Sequence, residues 1–146
     1  MSWVTVIVTL VAVERIAELV RARRNTRALL ARGGIEAGAG HYPLLVLLHG
    51  AWLAALLYFV PAGNAPSWGW LGAFVMLQAL RVWVLASLGP YWTTRIITLP
   101  GAPLVRSGPY RFLRHPNYVV VVAEIAVLPL VFGAWCIALV FSTLNL

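Results

Sequence analysis

The sequence predicts an all-α, polytopic membrane protein with about five transmembrane helices, three spans followed by a C-terminal helical hairpin. Two features of composition and one of pattern point there. Of the 146 residues, 62% are hydrophobic and only 10% charged, whereas a soluble domain carries about a quarter charged residues. Mean hydropathy is +0.87. Apolar runs near the ~20 residues needed to cross a hydrocarbon core alternate with short polar stretches. The chain is long enough for one domain, residues 1–146, and shows no internal repeat or low-complexity tract.

The first predicted span covers about Ser2 to Val20. It lacks the basic start and small-residue cleavage site of a signal peptide, so it reads as a retained helix. Glu14 and Glu18 share a face, and Arg21 lies one turn further on, where it can pair with Glu18. These acids can also face a polar cavity. Next comes "RARRNTRALLARGGIEAGAGHY", where a short helix can run to Arg32 before Gly33 and Gly34 stop it. The second span is Pro43 to Val60, with His49 inside it, hydrogen-bonded to a neighbouring helix. "PAGNAPS" is a short uncharged loop. The third span runs from about Trp68 to Leu88. Trp68 and Trp70 anchor one interface, and Trp83, Tyr91 and Trp92 the other. Arg81, one to two turns inside, can snorkel outward.

After the polar segment Gly89–Asn117, residues 118–141 are apolar except Glu124. Pro129 and Gly133 interrupt this run and favour two shorter helices bent into a hairpin over one tilted span. An intramembrane carboxylate is costly, so Glu124 needs a partner or a role. It can pair with Arg81 or line a pocket, and it shares a helix face with Asn117.

All eleven basic residues are arginines, giving a formal charge of +7. In a chain this apolar the charge speaks for cytoplasmic loops facing anionic lipid, not for nucleic acid. The 21–42 and 89–117 segments hold arginines and the 61–67 loop has none. The basic loops are therefore expected on the cytoplasmic side and the N-terminus outside. Cys136 is the only cysteine, which excludes an intrachain disulfide and a zinc-finger type of metal site. Composition leaves the oligomeric state open.

The chemistry concentrates in "GPYRFLRHPNY", Gly108 to Tyr118. Pro116 suits the first position of a helix and makes His115 its cap. The N–H groups of Asn117 and Tyr118 then lack intrahelical partners and favour an anion, with Arg114 and His115 adding positive charge. The upstream prolines and glycines, Pro100 to Pro109, shape a loop whose backbone can line a cofactor. A basic, turn-rich connector touching lipid headgroups fits the same residues.

"LVRSGPYRFLRHPNY" followed by an apolar helix resembles the signature of the isoprenylcysteine carboxyl methyltransferase family. "YWTTRIITLPGAPLVRSGPYRFLRHPNYVVV", with "VERIAELVRARRN" and "HYPLLVLLH" upstream, is more similar to a bacterial branch that O-methylates alkylpyrones and related phenolic lipids. The resemblance implies an S-adenosylmethionine-dependent O-methyltransferase of a bacterial inner (plasma) membrane. Its acceptor would be a lipid-like carboxylate or enol/phenol arriving from the bilayer, and its cofactor site would face the cytoplasm. It implies cofactor contacts at Ala102, Pro103, Leu104, Val105, Tyr110, His115, Pro116, Asn117 and Tyr118, with Arg114 and Glu124 as further pocket residues. The tyrosine faces can approach the adenine or the sulfonium. It names no catalytic base and no metal.

Two departures stand out. Val120 replaces the glycine usual two residues after the motif's tyrosine. The family's final-helix Arg and Glu, counted forward from His115, would fall beyond Leu146. The last helix is thus expected to be incomplete: the chain is truncated, its site is completed by another chain, or it is an inactive membrane protein that binds cofactor, lipid or a partner. A related core occurs in NADPH-dependent sterol reductases, which makes that activity a further alternative.

Overall fold

A computed structural model describes residues 1–37, 39–102 and 105–145. Five α-helices make up most of the described chain: α1 Trp3–Ala31, α2 Tyr42–Phe59, α3 Trp68–Leu88, α4 Pro116–Val131 and α5 Trp135–Leu144. Two three-residue strands, β1 Ile35–Ala37 and β2 Ile96–Thr98, add a small antiparallel ribbon. The ribbon is absent from the sequence expectation because three residues are too few to show an alternating pattern.

Each helix starts and stops for a local reason. The Ser2 hydroxyl accepts from the Thr5 N–H and caps α1. Pro43 lies in the first turn of α2 and Pro116 in that of α4, where a missing N–H costs nothing. At the end of α4, Gly133 adopts φ +69°, a left-handed turn that glycine makes at least cost. It folds α5 back against α4, as the Pro129–Gly133 interruption predicts. Helix α1 runs on through Arg21–Arg27 to Ala31 as one element of 29 residues, about 43 Å long at 1.5 Å per residue.

Two helices, α2 and α3, are long and apolar enough to cross a membrane. Both leave large apolar side chains exposed, among them Leu44, Leu47, Phe59, Val75, Met76 and Val82. The other three do not meet that description. Glu14, Arg15 and Glu18 interrupt the apolar part of α1, and α4 and α5 have only 16 and 10 residues. The expectation of about five spans is therefore supported as five helices, with two clear candidates for crossing. One apolar core joins Val8, Trp52, Leu56, Phe74, Leu128 and Val131 from α1 to α4. Trp3 and Trp68 meet edge-on at 5.6 Å, at the end shared by the N-terminus and the 61–67 loop.

Within this apolar packing lies a closed ion cluster. Arg81 grips Glu18 with two bonds of 2.6 Å and reaches Glu124 at 3.1 Å. Arg15 bonds Glu124 at 2.7 Å and Glu18 at 3.1 Å. Gln78 donates to the second Glu124 oxygen at 2.8 Å. Three expectations change. Arg81 does not snorkel, because two carboxylates beside it offset its desolvation better than a stretch to the surface would. Glu18 takes Arg15 and Arg81 as partners instead of Arg21, which is exposed. His49 bonds the Leu45 carbonyl of its own helix at 2.9 Å, not a neighbouring one.

Breaking a buried charge cluster by removing one member strands the others. Arg81→Met is expected to destabilise the fold by about 3–5 kcal/mol, read as a lower Tm in detergent. Arg81→Met combined with Glu18→Leu is expected to recover part of that loss. A single variant as stable as the parent would show that the cluster contributes little.

Candidate functional site

The arginines other than Arg15 and Arg81 all lie in residues 21–32 and 95–114. The antiparallel order of the helices brings these stretches to one end of the molecule. At that end α1 overhangs its neighbours and braces the segment after α3. Asn25 donates to the carbonyls of Trp92 at 2.7 Å and Gly89 at 3.3 Å, and Thr26 shares a 2.7 Å hydroxyl bond with Thr93. The β1–β2 ribbon ties the two loops together. Arg95 next to it bonds Glu36 at 3.1 Å and stacks over Tyr42, 4.5 Å from the ring centre.

Two features at this end can hold a ligand. The first is the start of α4. His115 is its N-cap residue and makes no side-chain cap bond. The first-turn N–H groups of Asn117 and Tyr118 therefore have no side-chain acceptor from the cap. Beside them, the Asn117 Oδ1 is buried without a partner. The second is a cleft of about 720 Å³ between the end of α3 and residues 105–111. Its walls include Ser87, Tyr91, Arg106, Ser107 and Arg111. Gly108 sets its closeness: φ is +59°, and an added Cβ would collide with Ser87 Oγ and lie 3.0 Å from Trp83 Nε1.

The sequence-predicted residues divide as follows. Val105 lines the cleft. Ala102 closes a turn, its N–H donating to the Leu99 carbonyl at 3.2 Å. Pro103 and Leu104 lie outside the described residues. Tyr110 sits half-buried in a 3₁₀ turn, Gly108–Arg111, and burial raises its phenol pKa above the usual tyrosine value. Pro116 is buried, Asn117 is half-buried, and Arg114, His115 and Tyr118 are exposed. Glu124 belongs to the ion cluster with Arg15 and Arg81, the first of its two expected roles. Ser87, Arg106 and Arg111 were missed as wall residues. Their signal was weak, since only the "VRSGPYR" spacing around Gly108 hinted at a shared turn. Arg15 was missed as a partner of Glu124, although its i,i+3 spacing to Glu18 marked it as part of the same face.

The motif sits at the basic end of a helical chain in which two helices are long and apolar enough to cross a membrane. A model of the isoprenylcysteine carboxyl methyltransferase (ICMT) family matches residues 70–146, which hold all but the first two residues of α3, the cleft, α4 and α5. The chain belongs to that family. It is similar to the uncharacterised protein YpbQ of Bacillus subtilis (strain 168), with 38% identity over 99% of this chain and 88% of that protein. It is also similar to an uncharacterised protein of Haemophilus influenzae, with 30% identity over 65% of this chain and 58% of that protein. No solved structure matches.

Gly108→Ala meets both a steric and a backbone obstacle. It is expected to lower stability by about 1–3 kcal/mol, the usual scale of overpacking. Ser87→Gly in the same chain removes one clash and should recover only part of the loss, because the positive φ stays. A full recovery in thermal melts would show that the backbone conformation carries no cost.

Proposed function

We propose that the protein is an S-adenosylmethionine-dependent O-methyltransferase working at a membrane surface. Its acceptor is a lipid-like molecule with an ionisable oxygen, a carboxylate or an acidic enol or phenol. Family membership over the segment that contains the polar end carries this reading.

The residues at the start of α4 suit the amino-acid end of such a cofactor. Unsatisfied N–H groups of Asn117 and Tyr118, at the positive end of the helix dipole, favour its carboxylate. Asn117 Oδ1, an acceptor with no partner, favours its ammonium. His115 and Arg114 stand beside them. Tyr110 and Tyr118 offer aromatic faces to the remainder, and Ala102 to Val105 supply the adjoining loop.

Bound S-adenosylmethionine supplies a methyl group on a sulfonium. An ionised acceptor oxygen then needs little base help, and positioning carries most of the rate. The protein's part is to bind, to orient and to exclude water. We further propose three spans and a hairpin in the bilayer, the N-terminus outside and the basic end in the cytoplasm of a bacterial cell. The acceptor would enter sideways from lipid while the soluble cofactor enters from the basic end.

Calorimetric titration of S-adenosylhomocysteine into the detergent-purified chain tests the reading, with micromolar binding as the expected result. His115→Ala and Asn117→Ala are each expected to weaken it about five- to tenfold, the scale of one or two lost polar contacts. Tyr118→Phe should weaken it less. Unchanged affinity in a folded His115→Ala variant would remove this residue from the site, and no binding by the folded parent would overturn the cofactor assignment.

A further inference from the structure

We infer that the cleft between the end of α3 and residues 105–111 is a phosphate-binding site, which adjoins the proposed cofactor loop at Val105 and is distinct from the cofactor contacts at the start of α4. S-adenosylmethionine carries no phosphate, so this site calls for a different ligand, either a lipid headgroup or a soluble phosphate compound.

Charge is the first reason. Arg106 and Arg111 both line the cleft, and no acidic residue does. The chain has four carboxylate side chains, all among the described residues. Glu18 and Glu124 are held in the ion cluster, Glu36 pairs with Arg95, and Glu14 lies on α1 one turn from Glu18. Neither arginine is paired with a carboxylate side chain among the described residues. Paired arginines at a wall are the usual recognition of a group carrying up to two negative charges.

Donor number is the second. Beside the ten N–H bonds of two arginines, the Ser107 hydroxyl and the Tyr91 phenol make no hydrogen bond among the described residues. That supply exceeds the two oxygens of a carboxylate and suits the three terminal oxygens of a phosphate monoester. Ser87 differs, because its hydroxyl already donates to the Trp83 carbonyl at 2.8 Å.

The third reason removes an objection. The end of a helix carries partial negative charge and repels anions. Here the Leu85 carbonyl accepts from the Gly89 N–H, and the full positive charges of Arg106 and Arg111 at the cleft outweigh the roughly half negative charge of the helix end. The cleft is broad and open to solvent, so a headgroup or a second phosphate beyond the first meets no closing wall.

The test uses the full chain in nanodiscs of neutral phosphatidylcholine, titrated calorimetrically with inorganic pyrophosphate and, separately, with dihexanoyl phosphatidic acid. Saturable binding of at least one probe is expected. Arg106→Gln with Arg111→Gln should weaken it at least tenfold, Ser107→Ala by a few-fold, and Arg32→Gln, an exposed arginine away from the cleft, should leave it unchanged. Binding of pyrophosphate would identify a soluble phosphate compound, and binding of phosphatidic acid alone a lipid headgroup. The assignment is overturned if neither probe binds, if the folded double variant binds like the parent, or if Arg32→Gln weakens binding equally. Displacement of the probe by S-adenosylhomocysteine would give the cleft to the cofactor and also overturn it. Failure of the cofactor titration alone would leave the phosphate result intact, so the two readings fail separately.

Discussion

The cluster of Arg15, Glu18, Arg81 and Glu124 is the constraint on which the rest of the structure depends. Each arginine touches both carboxylates, and each carboxylate touches both arginines. Apolar helices slide past one another at little cost, because lipid tails and leucine side chains offer similar surroundings. A charged ring closed by four side chains from three helices does not slide. It fixes how far along their axes α1, α3 and α4 stand relative to each other. Gln78 adds a bond that only this register allows.

The polar end inherits that register. The cleft needs the last turn of α3 beside the turn at Gly108, and the α4 start follows a few residues later. A shift of one residue along α3 would move Ser87 and Trp83 away from the glycine that fits them. The overhang of α1 then holds the 89–93 segment through Asn25 and Thr26, so the end of α3 is fixed from both sides. Charges buried among the helices and uncharged glycine contacts at the surface thus serve one geometry.

Much of the architecture was legible in the sequence. The edges of α2 and α3, the His115–Pro116 start of α4 and the break at Gly133 follow from apolar run length and from proline and glycine, which act locally. The Arg81–Glu124 pair could be anticipated because a carboxylate inside a long apolar run must find a cation. What escaped depends on partners distant in sequence. Arg15 stands 109 residues from Glu124, and no local rule separates it from an interfacial arginine. The direction of Arg81 depended on how many carboxylates would meet it. In the candidate site the motif around Gly108 was visible. The role of Ser87, on another helix, became visible only when the turn was seen packed against it.

The β1–β2 ribbon bears on the order in which the protein is made. Its strands pair Ile35 with Thr98 and Ala37 with Ile96. All of α2 and α3 lies between them, so the ribbon cannot close until the ribosome has released both helices. Until then the first loop has no strand to pair with. The ribbon at the polar end consequently takes shape only after α2 and α3 have left the ribosome, and the pieces of surface it joins stay apart until then.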